Sequence, residues 1–94
     1  MINTQHIENI LIDHPAVREV CVMPASREDA CYRFHAFVTL VDETSDAIYT
    51  FQAESQELLE GIAVRVEILS ELPKSGLGRI SRDALRLLCD EVGV

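Results

Sequence analysis

The chain has 94 residues and a net charge of −8, and 48% of its residues are apolar. This length fits one small domain. No apolar run reaches the roughly 20 residues of a membrane span, and no apolar run follows a basic segment as in a secretory signal. We therefore expect a cytoplasmic protein. The acidic charge argues against nonspecific nucleic-acid binding, which relies on many clustered Lys and Arg side chains.

The first half of the chain predicts a helix followed by two strands. Asn3 or Thr4 can cap the helix, and His14 ends it because a residue before proline disfavours the helical conformation. The apolar face of this helix consists of Ile7, Ile10 and Leu11. Residues 17–23 are rich in β-branched side chains and predict the first strand. Residues 34–41 predict the second strand, and 42–46 a polar turn.

The second half predicts a helix, a strand and a last helix. Residues 50–60 have a helical pattern, and Gly61 can end it; the apolar contributors are Phe51, Leu58 and Leu59. Residues 62–69 alternate as in a half-buried strand with one face on a core and one in water. Ser81 can cap the last helix and Gly93 can end it; its apolar stripe is Leu85, Leu88, Cys89 and Val92. The predicted fold is α+β, a sheet of about three strands with helices packed on it, in the order α-β-β-α-β-α.

The cysteines and histidines give no metal or disulfide pattern. The three cysteines, Cys21, Cys31 and Cys89, are odd in number and lack CxxC spacing, which argues against a disulfide framework or a zinc site. We expect Cys21 and Cys89 to be buried as small apolar residues, and Cys31 to lie in a loop. The histidines, His6, His14 and His35, are not spaced as a helical metal pair.

One segment, residues 71–86, differs in charge from the rest of the chain and reads ELPKSGLGRISRDALR. It contains four of the eight Lys and Arg residues: Lys74, Arg79, Arg82 and Arg86. Gly76 and Gly78 permit an exposed turn in which Arg79 can approach a ligand closely, and the positive charge suits phosphate or carboxylate. The alternative is a solvated turn whose helical arginines pair with Asp83, Asp90 or Glu91. The Walker phosphate-loop spacing is absent.

This segment resembles the motif, roughly ELPKTPSGKILRRELR, near the C-terminus of adenylate-forming enzymes, which include acyl- and aryl-CoA synthetases, nonribosomal peptide adenylation domains and luciferases. Upstream, HIENILIDHPAVREVCVM is similar to the family's EIENVLLEHPAVREAAVV. HAFVTL is similar to KAFVVL, and VRVEILSELPKS to RRVEFVDELPKT. The resemblance covers about residues 2–90, and the spacing of the motifs and the element order agree with it.

The resemblance implies that residues 1–94 form the small C-terminal lid of such an enzyme, without the hinge and the large N-terminal adenylation domain. Arg79 stands at the position of the family's catalytic lysine, which stabilises charge developing on the acyl-phosphate. The residues implied to bind substrate or phosphate are Lys74, Ser75, Gly76, Gly78 and Arg82. We expect no cofactor on the chain by itself; ATP with Mg²⁺, and CoA or a phosphopantetheine carrier, would be bound with a partner domain.

Several positions depart from the family pattern. Arginine replaces lysine at Arg79, and a planar guanidinium presents its donors differently from an ammonium. Gly76 and Leu77 replace a Pro-Ser pair, so we expect a looser or reshaped turn. Cys31-Tyr32 falls near the family's Gly-Glu pair and matches neither residue. His6 replaces the usual glutamate of the first helix, although Glu8 is retained.

Two interpretations of the function follow. In the first, the chain is a lid that acts in trans on a large adenylation subunit, or a fragment of such an enzyme. In the second, it is a catalytically degenerate interaction or regulatory module that binds an adenylating enzyme or carrier protein, or forms a homo-oligomer. Neither interpretation assigns the isolated chain an enzymatic activity, and neither involves nucleic acid or a membrane.

Overall fold

Within residues 3–25 and 32–92, the parts of the chain that the computed structural model describes, the backbone forms three helices and three strands. Side chains are described for these residues up to Leu87. In chain order the elements are α1 (Thr4–Ile12), β1 (Val17–Pro24), β2 (Phe34–Leu40), α2 (Ser45–Leu58), β3 (Val64–Ile68) and α3 (Arg82–Val92). The predicted α+β class and element order are confirmed.

The strands form one mixed sheet in the order β1-β2-β3. β1 and β2 are antiparallel, with Val20 opposite Val38, and β2 and β3 are parallel, with Ala36 opposite Val66. A parallel pair requires a crossover connection, and α2 supplies it. β1 begins at the end of the sheet where β2 and β3 finish, and this end carries the candidate site.

The sheet is covered on both faces. The first face meets α1 and α2 in a core that contains Ile7, Leu11, Val22, Val38 and Phe51 among its buried members. The opposite face forms a second core with the segment after β3 and with α3: Cys21, Met23, Phe37, Leu72 and Leu85. Burial on both faces explains why six of the seven residues of β2 are buried, and it confirms the expectation that Cys21 is buried.

Helix boundaries follow the caps. Asn3, one of the two predicted caps, accepts a hydrogen bond from the His6 N–H through Oδ1 at 2.9 Å. Thr44 caps α2 by accepting from the Ala47 N–H through Oγ1 at 3.3 Å. The second helix therefore begins at Ser45 rather than near residue 50, and the predicted polar turn over 42–46 was too long at its C-terminal end.

The burial of α2 and β3 refines two predictions. Phe51 in α2 and Leu59 at its C-cap are buried, whereas Leu58 is 46% exposed and does not contribute to the core. All five residues of β3 are half-buried, and the apolar side chains Val64, Val66 and Ile68 pack against the first core, as expected for one face of the strand. Within the described residues, β3 has a neighbouring strand on one side only. Cys31, Gly93 and the side chains of Leu88, Cys89 and Val92 lie outside the described residues.

Candidate functional site

Residues 73–81 form a short hairpin, which we call the basic hairpin. The Ser75 N–H donates to the Arg79 carbonyl at 2.7 Å, and the Gly78 N–H donates to the Ser75 carbonyl at 2.9 Å. Gly78 has a φ of +79°, in the left-handed region. This is the pattern of a three-residue hairpin loop that combines a type I turn with a glycine bulge. The turn is exposed, as expected, and its hydrogen bonds close it, so the turn is not loose.

The base of the basic hairpin is fixed to the body of the domain. The Ser81 N–H donates to the Pro73 carbonyl at 2.8 Å, and Lys74 and Ile80 form a bridge between the two arms. Ile80 packs against the second core, in which Leu72 is buried. The hairpin therefore leaves the second core and returns to it within nine residues, which restricts the positions that its tip can adopt.

Helix α3 begins directly after the basic hairpin. Ser81 accepts a hydrogen bond from the Ala84 N–H through Oγ at 3.3 Å, and its carbonyl accepts from the Leu85 N–H at 3.2 Å. These bonds are those of an N-cap, so the prediction that Ser81 caps the last helix is confirmed. Leu85 is fully buried, and it fixes the first turns of α3 onto the sheet.

The charge of Lys74 is paired with a carboxylate of the same domain. Its Nζ forms an ion pair with Glu19 Oε2 at the start of β1. The neighbouring Arg18 donates from Nη2 to the Ser70 carbonyl at 3.2 Å, just before the hairpin. The two contacts connect β1 to the segment that carries the hairpin. Lys74 therefore has a structural partner that spacing in the sequence did not indicate.

The remaining cations of the segment are at the surface. Arg79 lies in the second arm of the basic hairpin, opposite Ser75, and is exposed. Arg82 and Arg86 are exposed on α3. Among the described side chains, no ion pair involves Arg79, Arg82 or Arg86. The structure thus presents cations suited to an anionic ligand, with Arg79 the one held closest to the turn.

Arg82 also acts on the second core. Burial raises the pKa of the Cys21 thiol above its ordinary value of 9.0, and the Arg82 guanidinium opposes this shift while Glu8 adds to it. A raised pKa keeps the thiol protonated at neutral pH, and only the thiolate is nucleophilic. Cys21 is therefore an inert member of the core.

Two of the described histidines, His14 and His35, have structural contacts through their side chains. His14 accepts the Ala16 N–H at Nδ1, at 3.0 Å, and its Nε2 contacts Glu54. His35 is buried and stacks on Phe37 with ring centroids 4.4 Å apart. Among the described side chains, which end at Leu87, no three from His, Cys, Asp or Glu are grouped so that they could hold a metal ion.

An open groove runs along the outer side of β3, and no pattern in the sequence indicated it. Its cavity has a volume of about 690 Å³. The walls come from the C-terminal half of α2, from Tyr32 and from β3, including Gln52, Gln56, Val64 and Val66. A smaller cavity of about 240 Å³ lies where β2 and β3 end, beside Ile48. Neither cavity is lined by a residue of the basic hairpin, so the groove is a separate feature.

These observations define a small α+β domain with a mixed three-stranded sheet and a cationic hairpin exposed at one end. The chain belongs to the AMP-binding enzyme C-terminal domain family, whose model matches residues 6–79. The matched region ends at Arg79, so it contains the whole sheet and the turn of the basic hairpin. The chain therefore corresponds to the C-terminal domain of AMP-forming ligases.

Individual relatives agree with this assignment. The chain is 30% identical, over 98 aligned positions, to a vibriobactin-specific 2,3-dihydroxybenzoate-AMP ligase of Vibrio cholerae, and the match covers 99% of the chain and 18% of the ligase. It is 36% identical over 90 positions to an acetyl-coenzyme A synthetase of Streptomyces coelicolor, covering 90% and 14%. The crystal structure of an acyl-CoA synthetase from Brucella canis superimposes with a TM-score of 0.65 and 28% identity, covering 96% and 18%.

The chain thus spans less than a fifth of the length of these relatives. Their names, a 2,3-dihydroxybenzoate-AMP ligase and an acetyl-coenzyme A synthetase, describe far longer proteins. In the described part of this chain, no helix has the length and apolar character needed to cross a membrane.

Proposed function

We propose that the chain is the lid of an AMP-forming acyl- or aryl-CoA ligase-like enzyme and completes the active site of a large adenylation domain. That domain is supplied in trans by another chain, or belongs to a longer protein of which this chain is a part. The observation that carries the proposal is the exposed Arg79, held on a closed hairpin that is fixed to the domain core. The family match through residue 79 supports it.

Arg79 would act by electrostatic stabilisation. When a carboxylate oxygen bonds to the α-phosphorus of ATP and pyrophosphate leaves, negative charge accumulates on the oxygens around that phosphorus, and a fixed cation lowers the barrier. The Ser75–Arg79 backbone bond fixes the main chain of this residue before a ligand arrives. A guanidinium supplies the same charge as the family's lysine with a different donor geometry. We expect this chain to be active with Arg79 but sensitive to that geometry.

The other residues of the segment support Arg79 in different ways in this proposal. Gly76 and Gly78 keep the turn narrow and leave room for phosphate, and Ser75 lies opposite Arg79. Arg82 contributes to the positive potential from the first turn of α3. Lys74 holds the hairpin through Glu19. ATP with Mg²⁺ and the thiol acceptor, which is CoA or a phosphopantetheine carrier, are assigned to the partner domain.

The test is complementation of an AMP-forming ligase truncated before its own C-terminal domain. Pyrophosphate exchange is measured for the truncated enzyme with and without this chain. We expect the wild-type chain to raise the rate, Arg79→Ala to lose a factor of about 10² or more, and Arg79→Lys to keep or exceed the wild-type effect. Arg33→Ala is the matched control, because Arg33 is an exposed arginine at the opposite end of the sheet. Equal rates for Arg79→Ala and Arg33→Ala would contradict the catalytic role.

The second candidate function is a binding module that has kept the fold and lost the chemistry. It is favoured by Leu77, which is 86% exposed at the tip of the basic hairpin and can meet an apolar surface. In this case an intact adenylating enzyme or a carrier protein would be the partner. Leu77→Ser would then abolish binding of that partner in a calorimetric titration, while Arg79→Ala would leave binding and enzyme rates unchanged.

A further inference from the structure

The two edge strands of the sheet, β1 and β3, differ in how their outer backbone groups are protected from pairing with another chain. On β1, Glu8 of helix α1 accepts the Val22 N–H through Oε1 at 3.0 Å, so a side chain occupies a backbone donor of that edge. The register of β1 also shifts between Val17 and Glu19, and the strand ends in Pro24. A carboxylate, a register irregularity and a proline are common means of preventing an edge strand from pairing with another chain.

On β3 the outer edge has no neighbouring strand within the residues that the structure describes. The Ala63 carbonyl accepts from the Phe34 N–H at 3.1 Å, and the Leu69 N–H donates to the Val38 carbonyl at 2.9 Å. Backbone groups alternate in direction along a strand, so the residues between these two that point away from β2 are Val64, Val66 and Ile68. The Val64 N–H bonds locally to the Ile62 carbonyl. Within the described part of the chain, β3 has a neighbouring strand on one side only.

The sequence of β3, Val-Arg-Val-Glu-Ile, is complementary to itself when it is reversed. In an antiparallel pair centred on Val66, each Val64 faces Ile68 of the other copy, and each Arg65 faces Glu67 of the other copy. Opposite charges directly across a pair are favourable, and like charges are unfavourable. A shift of two residues would place Arg65 against Arg65 or Glu67 against Glu67. A parallel, in-register pair would place Arg65 against Arg65 and Glu67 against Glu67. The charges therefore favour the antiparallel register centred on Val66.

We propose that β3 is an interaction surface for a second copy of this chain, which pairs with it in an antiparallel manner about a two-fold axis at Val66. The resulting sheet has six strands. The open groove of about 690 Å³ beside β3 provides the space for the incoming strand. Such an axis keeps α2 of both copies on the same face, with Gln52 and Gln56 as polar groove walls. This proposal goes beyond the proposed function and does not depend on it.

The strength of the dimer follows from its size. Five paired residues and one groove wall give an interface at or below the small end of specific complexes, so we expect a dissociation constant between about 1 μM and 1 mM. Sedimentation velocity over that concentration range measures it on the full chain. A wild-type chain that remains monomeric up to about 1 mM would overturn the proposal.

Charge exchange tests the register. Arg65→Glu and Glu67→Arg each place like charges across the pair, and each should weaken the dimer on the order of tenfold. Because the chain is acidic, general charge repulsion predicts opposite effects for these two variants, since one adds negative charge and the other removes it. Arg33→Glu is the matched control for the charge change and should have little effect. Equal dimerisation of both β3 variants and the wild type would refute the assigned surface.

Mixing the two single variants separates pairing from folding. Arg65 lies near the Tyr32 ring, and Glu67 lies 3.9 Å from His35, so each variant can also alter its own monomer. A heterodimer of Arg65→Glu with Glu67→Arg has opposite charges at both cross-strand positions, as does the homodimer of the double variant. We expect native mass spectrometry to show the heterodimer well above its statistical share, in which it is about twice as abundant as each homodimer. Homodimers and heterodimers in statistical proportions would contradict the proposal. If a charge reversal prevents folding, the neutral variants Arg65→Gln and Glu67→Gln are mixed instead.

Discussion

Glu8 should contribute to stability more than an exposed glutamate does, because it accepts a hydrogen bond from a strand. Its Oε1 lies 3.0 Å from the backbone nitrogen of Val22, which is fully buried. A hydrogen bond to a charged group contributes about 1.5–3 kcal/mol, and its removal leaves the Val22 N–H without that acceptor. Glu8→Gln keeps a neutral oxygen of the same shape. We therefore expect it to lower the free energy of unfolding by about 1 kcal/mol, and Glu8→Ala by about 2 kcal/mol.

Urea denaturation gives the free energies, and a loss of 1 kcal/mol corresponds to about 4–8 °C in melting temperature for a domain of this size. Glu57→Gln is the matched control, because Glu57 is exposed on α2 and loses the same charge. Native-state hydrogen exchange should show faster exchange at the Val22 amide in both Glu8 variants. If Glu8→Gln and Glu57→Gln agree within a few tenths of a kcal/mol, the carboxylate does not support this strand edge.

Three further outcomes follow from the same contacts. Gly78→Ala should lower the free energy of unfolding by about 1–2 kcal/mol, because Gly78 has a positive φ that alanine adopts only with strain. Gly76→Ala should leave the free energy of unfolding nearly unchanged in the same denaturation experiment, because a Cβ at that position meets open space. A double-mutant cycle with Lys74→Met and Glu19→Gln should give a coupling of about 0.2–1 kcal/mol, since both side chains are partly exposed; zero coupling would mean that the pair does not anchor the hairpin. Because the pKa of Cys21 is raised in the folded state, the thiol of the unfolded chain ionises first as pH rises past 9.0, so the free energy of unfolding falls above that pH. Cys21→Ala should make the free energy of unfolding fall less steeply with pH in this range. An unchanged pH dependence would contradict the burial effect.

The strands were predictable because their side chains repeat with a period of two and their β-branched content is high. What the sequence did not reveal is that β2 lies between its partners and is covered on both faces. Its alternating residues Ala36 and Phe37 are equally buried, in different cores. The second core is completed by Leu72 and Leu85, which lie more than 30 positions along the chain from β2, so only the tertiary structure brings them together.

The start of α2 was missed because local chemistry favours two outcomes there. Thr44, Ser45 and Asp46 are typical of turns, and they are equally typical of a helix N-terminus, where side-chain oxygens accept free N–H groups. The cap of Thr44 and the acidic first turn decide for the helix. The exposure of Leu58 was missed for a related reason. With the helix placed near residue 50, the sequence did not indicate which side of its last turn faces the core.

The candidate site was only partly predictable. The glycines and the charge predicted an exposed cationic turn, because these properties are local. The pairing of Lys74 with Glu19 joins residues 55 positions apart, and no local pattern encodes it. It adds an anchoring contact for Lys74, while the role in phosphate binding that the resemblance implies stays a prediction. The closure of the turn was also missed, since Leu77 in place of a family serine gave no indication of the backbone bonds around it.

The strand order implies that the basic hairpin and the dimer surface can be used together. Lys74 joins the hairpin to Glu19 on β1, and β1 and β3 are opposite edges of the sheet. In a six-stranded dimer the two β1 strands are therefore outermost, about 24 Å apart at the usual strand spacing, and neither hairpin is covered by the second copy. A lid that acts as a monomer and a lid that acts as a dimer should then stimulate pyrophosphate exchange equally per chain. We expect the charge variant Arg65→Glu to weaken dimerisation and to leave complementation unchanged. A parallel loss of both would show that the groove beside β3, rather than solvent, faces the large domain.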